Sequence, residues 1–372
     1  MTQNRIVLSE PKIKEKENYV RISAILKFNG KRKELWFDIP KKFLNKEQVS
    51  SAFLNAVYIP CLAIGGKIIS KGEVSPKLLS NLPTVGDIMK TWFPSRFKKQ
   101  TDFVARHLSA KNPQGKKVGL FFTLGVDSMT SLMKHLKEVD YLIYVLDEQT
   151  NLYPKDGKII KSHVPHNIEK VANLYGKEVI EIGTNLKEFA KEFTDWPSQY
   201  HGSMFASIAI LLSKTIGKFY LASSHAYPSM INYGSHPALD YLFEVEGMRF
   251  IHDGAELTRV GKVKMLSEYP DCLPFIDYGC GGVHCTRHQK CIRTLLNFDL
   301  CGILDKLPQL KHGYTVNDIK NLPMAGESDF SKAKENYKEL AKHPKKAHIR
   351  TALKVAMQRY KDKRHAAGYE WE

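Results

Sequence analysis

The chain has 372 residues, 43% of them hydrophobic, enough for one large or two to three ordinary domains with a buried core. Its 56 Lys and Arg against 39 Asp and Glu leave a formal charge of +17, which suits either a solubilising Lys-rich surface or a polyanion partner such as a nucleotide, a nucleic acid or an acidic protein. The longest apolar stretch, near Phe205 to Leu212, is interrupted by Ser213 and Lys214, well short of the roughly 18 to 20 residues of a membrane-spanning helix, so no membrane segment is expected.

The opening residues Met1 to Arg5 lack the charged-then-apolar pattern of a secretory signal, and the expectation is a cytoplasmic protein with reduced thiols. Residues 18–38 alternate apolar and polar side chains around Asn29-Gly30, which is a hairpin signal. Polar, Pro-containing text at Ser109 to Gly115 closes this part, and residues 1–111 are assigned to an N-terminal α+β module. From Lys117 the pattern becomes short apolar runs between helical segments: Val118–Phe122, Tyr141–Leu146, Glu178–Ile182 and Phe219–Ala222. Strands alternating with helices predict a doubly wound parallel α/β sheet over residues 112–305, with chemistry just beyond the carboxyl ends of the strands. Ile292–Leu304 and Ser331–Arg364 read as helices, and residues 306–372 as a basic helical C-terminal region whose Lys-rich face is solvated or docks a partner.

The first apolar run leads directly into Thr123-Leu124-Gly125-Val126-Asp127-Ser128 and then a helical segment. A small-residue loop at a helix N-terminus offers free N–H groups and the positive end of the helix dipole to an anion. Gly125 lets the main chain approach closely, Thr123 and Ser128 donate hydroxyl hydrogen bonds, and Asp127 caps the helix or helps to hold nucleotide-borne Mg²⁺. There is no Gly-Lys-Ser/Thr, so this is not a Walker A loop.

Further on, Ser223, His225, His236, Asp240 and His252 form a dense polar stretch that reads as cleft lining. Arg259 and Lys262, spaced i and i+3, share one helix face and can neutralise phosphate, or form a surface pair with Glu256. His201 and Arg293 are further candidates to face the site. Four of six cysteines (Cys272, Cys280, Cys285 and Cys291) fall within 20 residues, and Cys285-x-x-His288-x-x-Cys291 has a step that lets a turn present several ligands to one tetrahedral ion. Cys61 and Cys301 read as core residues.

Two of these motifs carry a family resemblance. Residues 123–128 resemble the Ser-Gly-Gly-x-Asp-Ser signature of the PP-loop ATP pyrophosphatases, and the Cys/His cluster resembles the Cys…Cys-x-x-Cys-x-x-Cys site of the QueC-like 7-cyano-7-deazaguanine synthases of that superfamily, with His288 at the middle cysteine. The resemblance spans roughly Lys117 to Leu304. It implies a Rossmann-like sheet of HUP/PP-loop type and Mg-ATP held by Thr123, Leu124, Gly125, Val126, Asp127 and Ser128, with Asp147 on the adenosine side. It also implies catalysis by Asp127, Ser128, Arg259 and Lys262, and structural Zn²⁺ on Cys272, Cys285, His288 and Cys291, with Cys280 the rival fourth ligand. The implied reaction is adenylation of a small-molecule carboxylate, typically a deazaguanine, with release of pyrophosphate, then amide or nitrile formation with ammonia or transfer of the acyl group to another amine, and release of AMP.

Some relatives are associated with antiphage defence operons, which adds a protein to the partners this resemblance admits; tRNA and a homodimer are the others. Thr123 departs mildly from the signature. Leu124 departs more, placing a Cβ where the family has none, and it favours an alternative in which the fold binds a nucleotide or base without turnover. The high charge favours a second alternative, a tRNA-modifying adenylase.

Overall fold

A computed structural model describes residues 4–99, 101–108, 115–146, 152–155, 158–161, 164–277, 288–307, 310 and 313–366. The chain begins with β1 (Arg5–Leu8) and β2 (Lys12–Glu15), followed by the hairpin expected from the sequence, β3 (Tyr19–Phe28) and β4 (Lys31–Pro40), with Phe28 opposite Lys31. Asn29 and Gly30 both take positive φ, 47° and 71°, as a two-residue type I′ turn requires. Then come α1 (Val49–Ile64), β5 (Gly66–Val74), α2 (Pro76–Trp92) and β6 (Thr101–His107). Ser75 starts α2, its Oγ accepting from the Leu78 N–H, with Pro76 in the first turn where no N–H is needed.

Strand and helix then alternate as expected: β7 (Lys117–Phe121), α3 (Val126–Lys134), β8 (Tyr141–Leu146), the short pair β9 (Leu152–Lys155) and β10 (Lys158–Lys161), α4 (Val164–Leu174), β11 (Glu178–Thr184), α5 (Leu186–Ala190), α6 (His201–Leu212), β12 (Ile216–Ala222), β13 (Arg249–Asp253) and α7 (Arg259–Leu266). The C-terminal part holds α8 (Gln289–Leu300), α9 (Val316–Lys320), α10 (Glu327–Leu340) and α11 (Ala347–Ala366). The helical stretch expected over Ser331–Arg364 is thus two helices, broken before Pro344, which disfavours helical backbone at the preceding residue.

Among the described residues the main sheet has 11 strands in the order β13-β12-β7-β8-β11-β4-β3-β1-β5-β6, with β2 on β3 beside this path. From β13 to β11 all neighbours are parallel. Beyond β11 the direction reverses: β4 pairs antiparallel to it, with Gly183 opposite Asp38, so strands from the first 40 residues extend the same sheet. The fold is α/β, with a mostly parallel central sheet compatible with a Rossmann-like arrangement.

Strand alternation sends Phe121 to one face and Leu120 and Phe122 to the other. On the first face α1 packs against α6, tied by Asn55 Nδ2 to the Ser203 carbonyl and Ser207 Oγ, both at 2.9 Å. On the second, Met129 of α3, Val263 of α7 and Leu295 of α8 close the core. A third cluster joins Val260 of α7 and Ile292 and Leu296 of α8 to α9, α10 and α11, so the C-terminal helices pack directly on the helices that carry the candidate site. Among the described residues no helix is long and apolar enough to cross a membrane.

Candidate functional site

β7 neighbours β8 on one side and β12 on the other, so the loop after β7 sits where successive crossovers diverge, the usual ligand crevice of an open α/β sheet. The loop is held from both ends. The Phe122 N–H donates to the Ile143 carbonyl of β8 at 2.9 Å, the Thr123 N–H to Ser128 Oγ at 3.3 Å, and Ser128 Oγ to the Gly125 carbonyl at 3.2 Å. Gly125 is the N-cap of α3, not Asp127, and it has no side chain to cap with. A Cβ built on Gly125 would meet only Thr123 Oγ1, at 3.6 Å. Its φ of −66° suits any residue, so neither packing nor backbone demands glycine; what glycine leaves there is open space beside free N–H groups.

Leu124 takes φ 61°, a left-handed conformation that costs a residue with a Cβ about 1–2 kcal/mol. Its side chain is buried at 1% exposure in the second core cluster, and its carbonyl accepts the Asp277 N–H at 2.9 Å. The backbone therefore holds a conformation that glycine adopts freely, while the leucine fills the core. Leu124→Gly trades relief of about 1 kcal/mol of strain against the loss of a buried leucine, which costs about 2–5 kcal/mol. Net destabilisation of about 2 kcal/mol is expected in urea unfolding; a more stable variant would show that strain outweighs packing.

Asp127 lies in the first turn of α3, with 21% of its side chain exposed. Lys262 Nζ donates to Oδ1 at 2.8 Å and Arg259 Nη2 to Oδ2 at 2.7 Å, so each carboxylate oxygen faces its own cation. Burial alone would raise this carboxyl's pKa, but Arg259 and Lys262 overcome it and hold the group well below the usual carboxylate range. Their i, i+3 spacing on α7 puts both cations on one face, as the sequence suggested, and α7 is started by Thr258, whose Oγ1 accepts the Gly261 N–H at 3.0 Å. Lys262 is nearly fully buried and also donates to the Ser223 carbonyl, just beyond β12, at 2.7 Å. Glu256 pairs with Lys134, not with Arg259 or Lys262.

Asp253, the last residue of β13, pins the other end of α3. It accepts from Ser131 Oγ at 2.6 Å and Lys134 Nζ at 2.8 Å, with His135 Nε2 at 3.0 Å. No family model, curated protein or solved structure matches the chain.

Other parts of the sequence reading turn out differently. Asp240 and His252, expected to line a cleft, are 1% and 4% exposed and bonded to each other at 2.8 Å, with Ser235 Oγ donating to the same carboxylate at 2.7 Å. They form a buried network joined through His252 Nδ1, while His252 Nε2 is buried with no partner among the described residues. His201 packs edge-on against Tyr233, ring centroids 5.1 Å apart, and burial lowers its pKa to about 4.

Asp147, Cys280 and Cys285 lie outside the described residues. Cys272 and Cys291 are buried in the same apolar cluster, and burial raises the Cys272 thiol to about 12, so its thiolate would need a cation beside it. His288 is the N-cap of α8 and accepts the Lys290 N–H on Nδ1 at 3.3 Å; binding a metal through Nε2 would require it to give up that cap. Among the described residues no group of three His, Cys, Asp or Glu converges as a metal site.

Residues that the sequence reading passed over complete the surroundings. Arg293 of α8, only 8% exposed, pairs with Asp329 of α10 at 3.4 Å and donates to Gln289 Oε1 at 2.8 Å. The Arg259 N–H donates to Glu335 of α10. Ser328 of the same helix contacts His225 Nε2 at 3.1 Å. Arg293 is the one of these that the sequence points to; the acidic and hydroxyl groups of α10 carry no local signal.

Proposed function

We propose that the protein is a PP-loop-type enzyme that binds Mg-ATP on residues 123–128 and adenylates a carboxylate, of deazaguanine type by resemblance, for reaction with an amine. The observation that supports this reading best is Asp127 gripped by Arg259 and Lys262 beside the open glycine position at the mouth of a parallel sheet.

In this reading the Asp127 carboxylate holds the two cations in place until a polyphosphate takes over their positive charge. Asp127 would then be free to hold nucleotide-borne Mg²⁺, which would supply charge neutralisation on the phosphates. The substrate carboxylate oxygen attacks the α phosphorus, the bond to the β-bridging oxygen breaks, and pyrophosphate leaves carrying the electron pair. Lys262, Arg259 and the first N–H groups of α3 stabilise that leaving charge. The acyl adenylate then reacts with the amine and AMP departs. Cys272, Cys285, His288 and Cys291, or with Cys280 as the fourth ligand, would hold the structural Zn²⁺ that this reading implies, and four protein ligands would leave it no open position for chemistry.

The test is AMP and pyrophosphate formation from Mg-ATP by the purified full-length protein, with and without carboxy-deazaguanine, alongside its zinc content. AMP that depends on the carboxylate, from a protein carrying about one zinc per chain, is the expected result. Tight ATP binding with no AMP under any of these conditions would favour the second reading, a nucleotide-binding protein without turnover, for which the leucine at φ 61° is the specific observation.

A further inference from the structure

Helix α10 turns one face toward the Asp127 cluster, with Glu335 accepting the Arg259 N–H and Ser328 against His225 Nε2. Residues 328, 332 and 335 follow i, i+4, i+7 spacing on that face, with Asp329 beside them. Asp329 and Glu335 engage Arg293 and the Arg259 N–H respectively. Lys332 is different: its Nζ donates to a neutral acceptor, Ser328 Oγ at 3.0 Å, and among the described residues it forms no ion pair. Arg259, Arg293 and Asp127 all act on it electrostatically. The cluster thus gathers Arg259, Lys262, Arg293 and Lys332, while Asp127 is shared by two of these cations and Asp329 answers a third. A half-buried ammonium beside two guanidinium groups, with Asp127 and Asp329 acting on it without pairing to it, gains when an anion joins it.

We propose that Lys332 is a phosphate ligand of the loop site, so that α10 closes over the Asp127 cluster and supplies the cation that the loop and α7 leave to be provided. This rests on the reading of residues 123–128 as a polyphosphate site. The ligand chemistry is an oxyanion carrying more than one negative charge, as in the β and γ phosphates of a nucleotide or in free pyrophosphate. A single charge would be met by the cations already engaged at Asp127.

A linked proton follows from the placement. Burial, then Arg293 and Arg259, lower the Lys332 pKa to about 7, so in the empty protein near pH 7.5 a good part of Lys332 is neutral. The groups acting on it are Asp127 of α3, His225 after β12, Arg259 of α7, Arg293 of α8, and Ser328 and Asp329 of its own helix, with Lys262 and Tyr233 one step further out, bonded to Asp127 and Ser328 respectively. Burial lowers the His225 pKa to about 3 and raises that of Tyr233 to about 12, so neither changes charge in this window. An incoming phosphate favours the ammonium form of Lys332, and binding takes up protons.

Titration calorimetry of the full-length protein at pH 7.5, in two buffers of different ionisation enthalpy, reads this directly. The probes are Mg-pyrophosphate, Mg-ATP and AMP, and the variants are Lys332→Met and Lys332→Arg. The wild type should take up a fraction of a proton per pyrophosphate. Lys332→Met should bind pyrophosphate about 10- to 100-fold more weakly without that uptake, with AMP affinity little changed. Lys332→Arg should keep most of the affinity and lose the uptake, which decides the matter even if the methionine variant folds poorly. Wild-type affinity and proton uptake in both variants would overturn the proposal while leaving the nucleotide site standing. A wild type that binds neither pyrophosphate nor Mg-ATP would remove the nucleotide reading and this proposal with it.

Discussion

Asp127→Asn should lower the unfolding free energy by about 3 kcal/mol at neutral pH, because removing one side of a buried ion pair leaves the other side charged and unanswered. Here two cations are affected, one of them with only 3% of its side chain exposed, and an asparagine can accept from one of them but not neutralise either. The pH dependence gives the prediction its sign. Asp127 is held below its unfolded value of about 3.9, so its contribution is fully present above about pH 4 and is lost as the pH falls through the folded value. Urea unfolding should therefore show the gap between wild type and variant narrowing as the pH falls below 4. A gap that stays constant down to pH 3 would mean that the ionised carboxylate is not the source of the stability. Pyrophosphate should stabilise the variant more than the wild type, since it then meets cations with no internal competitor.

How much of this could be read from the sequence depended on whether the signal was local. β7, its loop and α3 were legible because an apolar run, a Gly-x-Asp-Ser turn and a helical segment follow one another within 18 residues, from Lys117 to Lys134. The hairpin was legible for the same reason, with both positive-φ residues being Asn29-Gly30. β13 was not, because an edge strand such as Arg249–Asp253 is sheltered on fewer sides and needs no continuous apolar run. The pairing of β4 with β11 joins residues about 145 positions apart, and no local pattern encodes such a partnership.

At the site, Arg259 and Lys262 could be matched because their spacing fixes a common helix face, although nothing in the spacing says that Asp127 lies opposite. Lys332 was hidden by composition, since α10 also carries Lys334 and Lys338, which are exposed. Only the packing of Phe330, Ser331 and Ala333 against the body sets the phase that turns Lys332 inward. The polar stretch from Ser223 to His252 divides: Ser223 and His225 border the Asp127 cluster, whereas Asp240, Ser235 and His252 hydrogen-bond one another inside the fold.

Lys262→Met should reduce AMP formation by about 10²- to 10³-fold, the usual consequence of removing a preorganised group from a developing negative charge. Methionine has nearly the reach of lysine and suits a buried position, so the core around Val263 and Leu266 should tolerate it. What it cannot do is donate to Asp127 Oδ1 and to the Ser223 carbonyl. The lost hydrogen bonds and the partly unpaired carboxylate should cost about 1–3 kcal/mol of stability, leaving a folded protein on which kinetics can be measured.

Because charge accumulates on the departing pyrophosphate, the loss should fall mainly on kcat, with a smaller rise in KM for ATP, and Lys262→Arg should recover part of it only if the guanidinium fits the space beside Gly254. An unchanged kcat with a raised KM would assign Lys262 to ground-state binding alone. Should the wild type form no AMP, the same substitution becomes a binding experiment. Mg-ATP affinity would fall while the fold is retained, and Lys262 would then be the cation of a nucleotide sensor, holding the polyphosphate through the same Nζ that now holds Asp127 and Ser223.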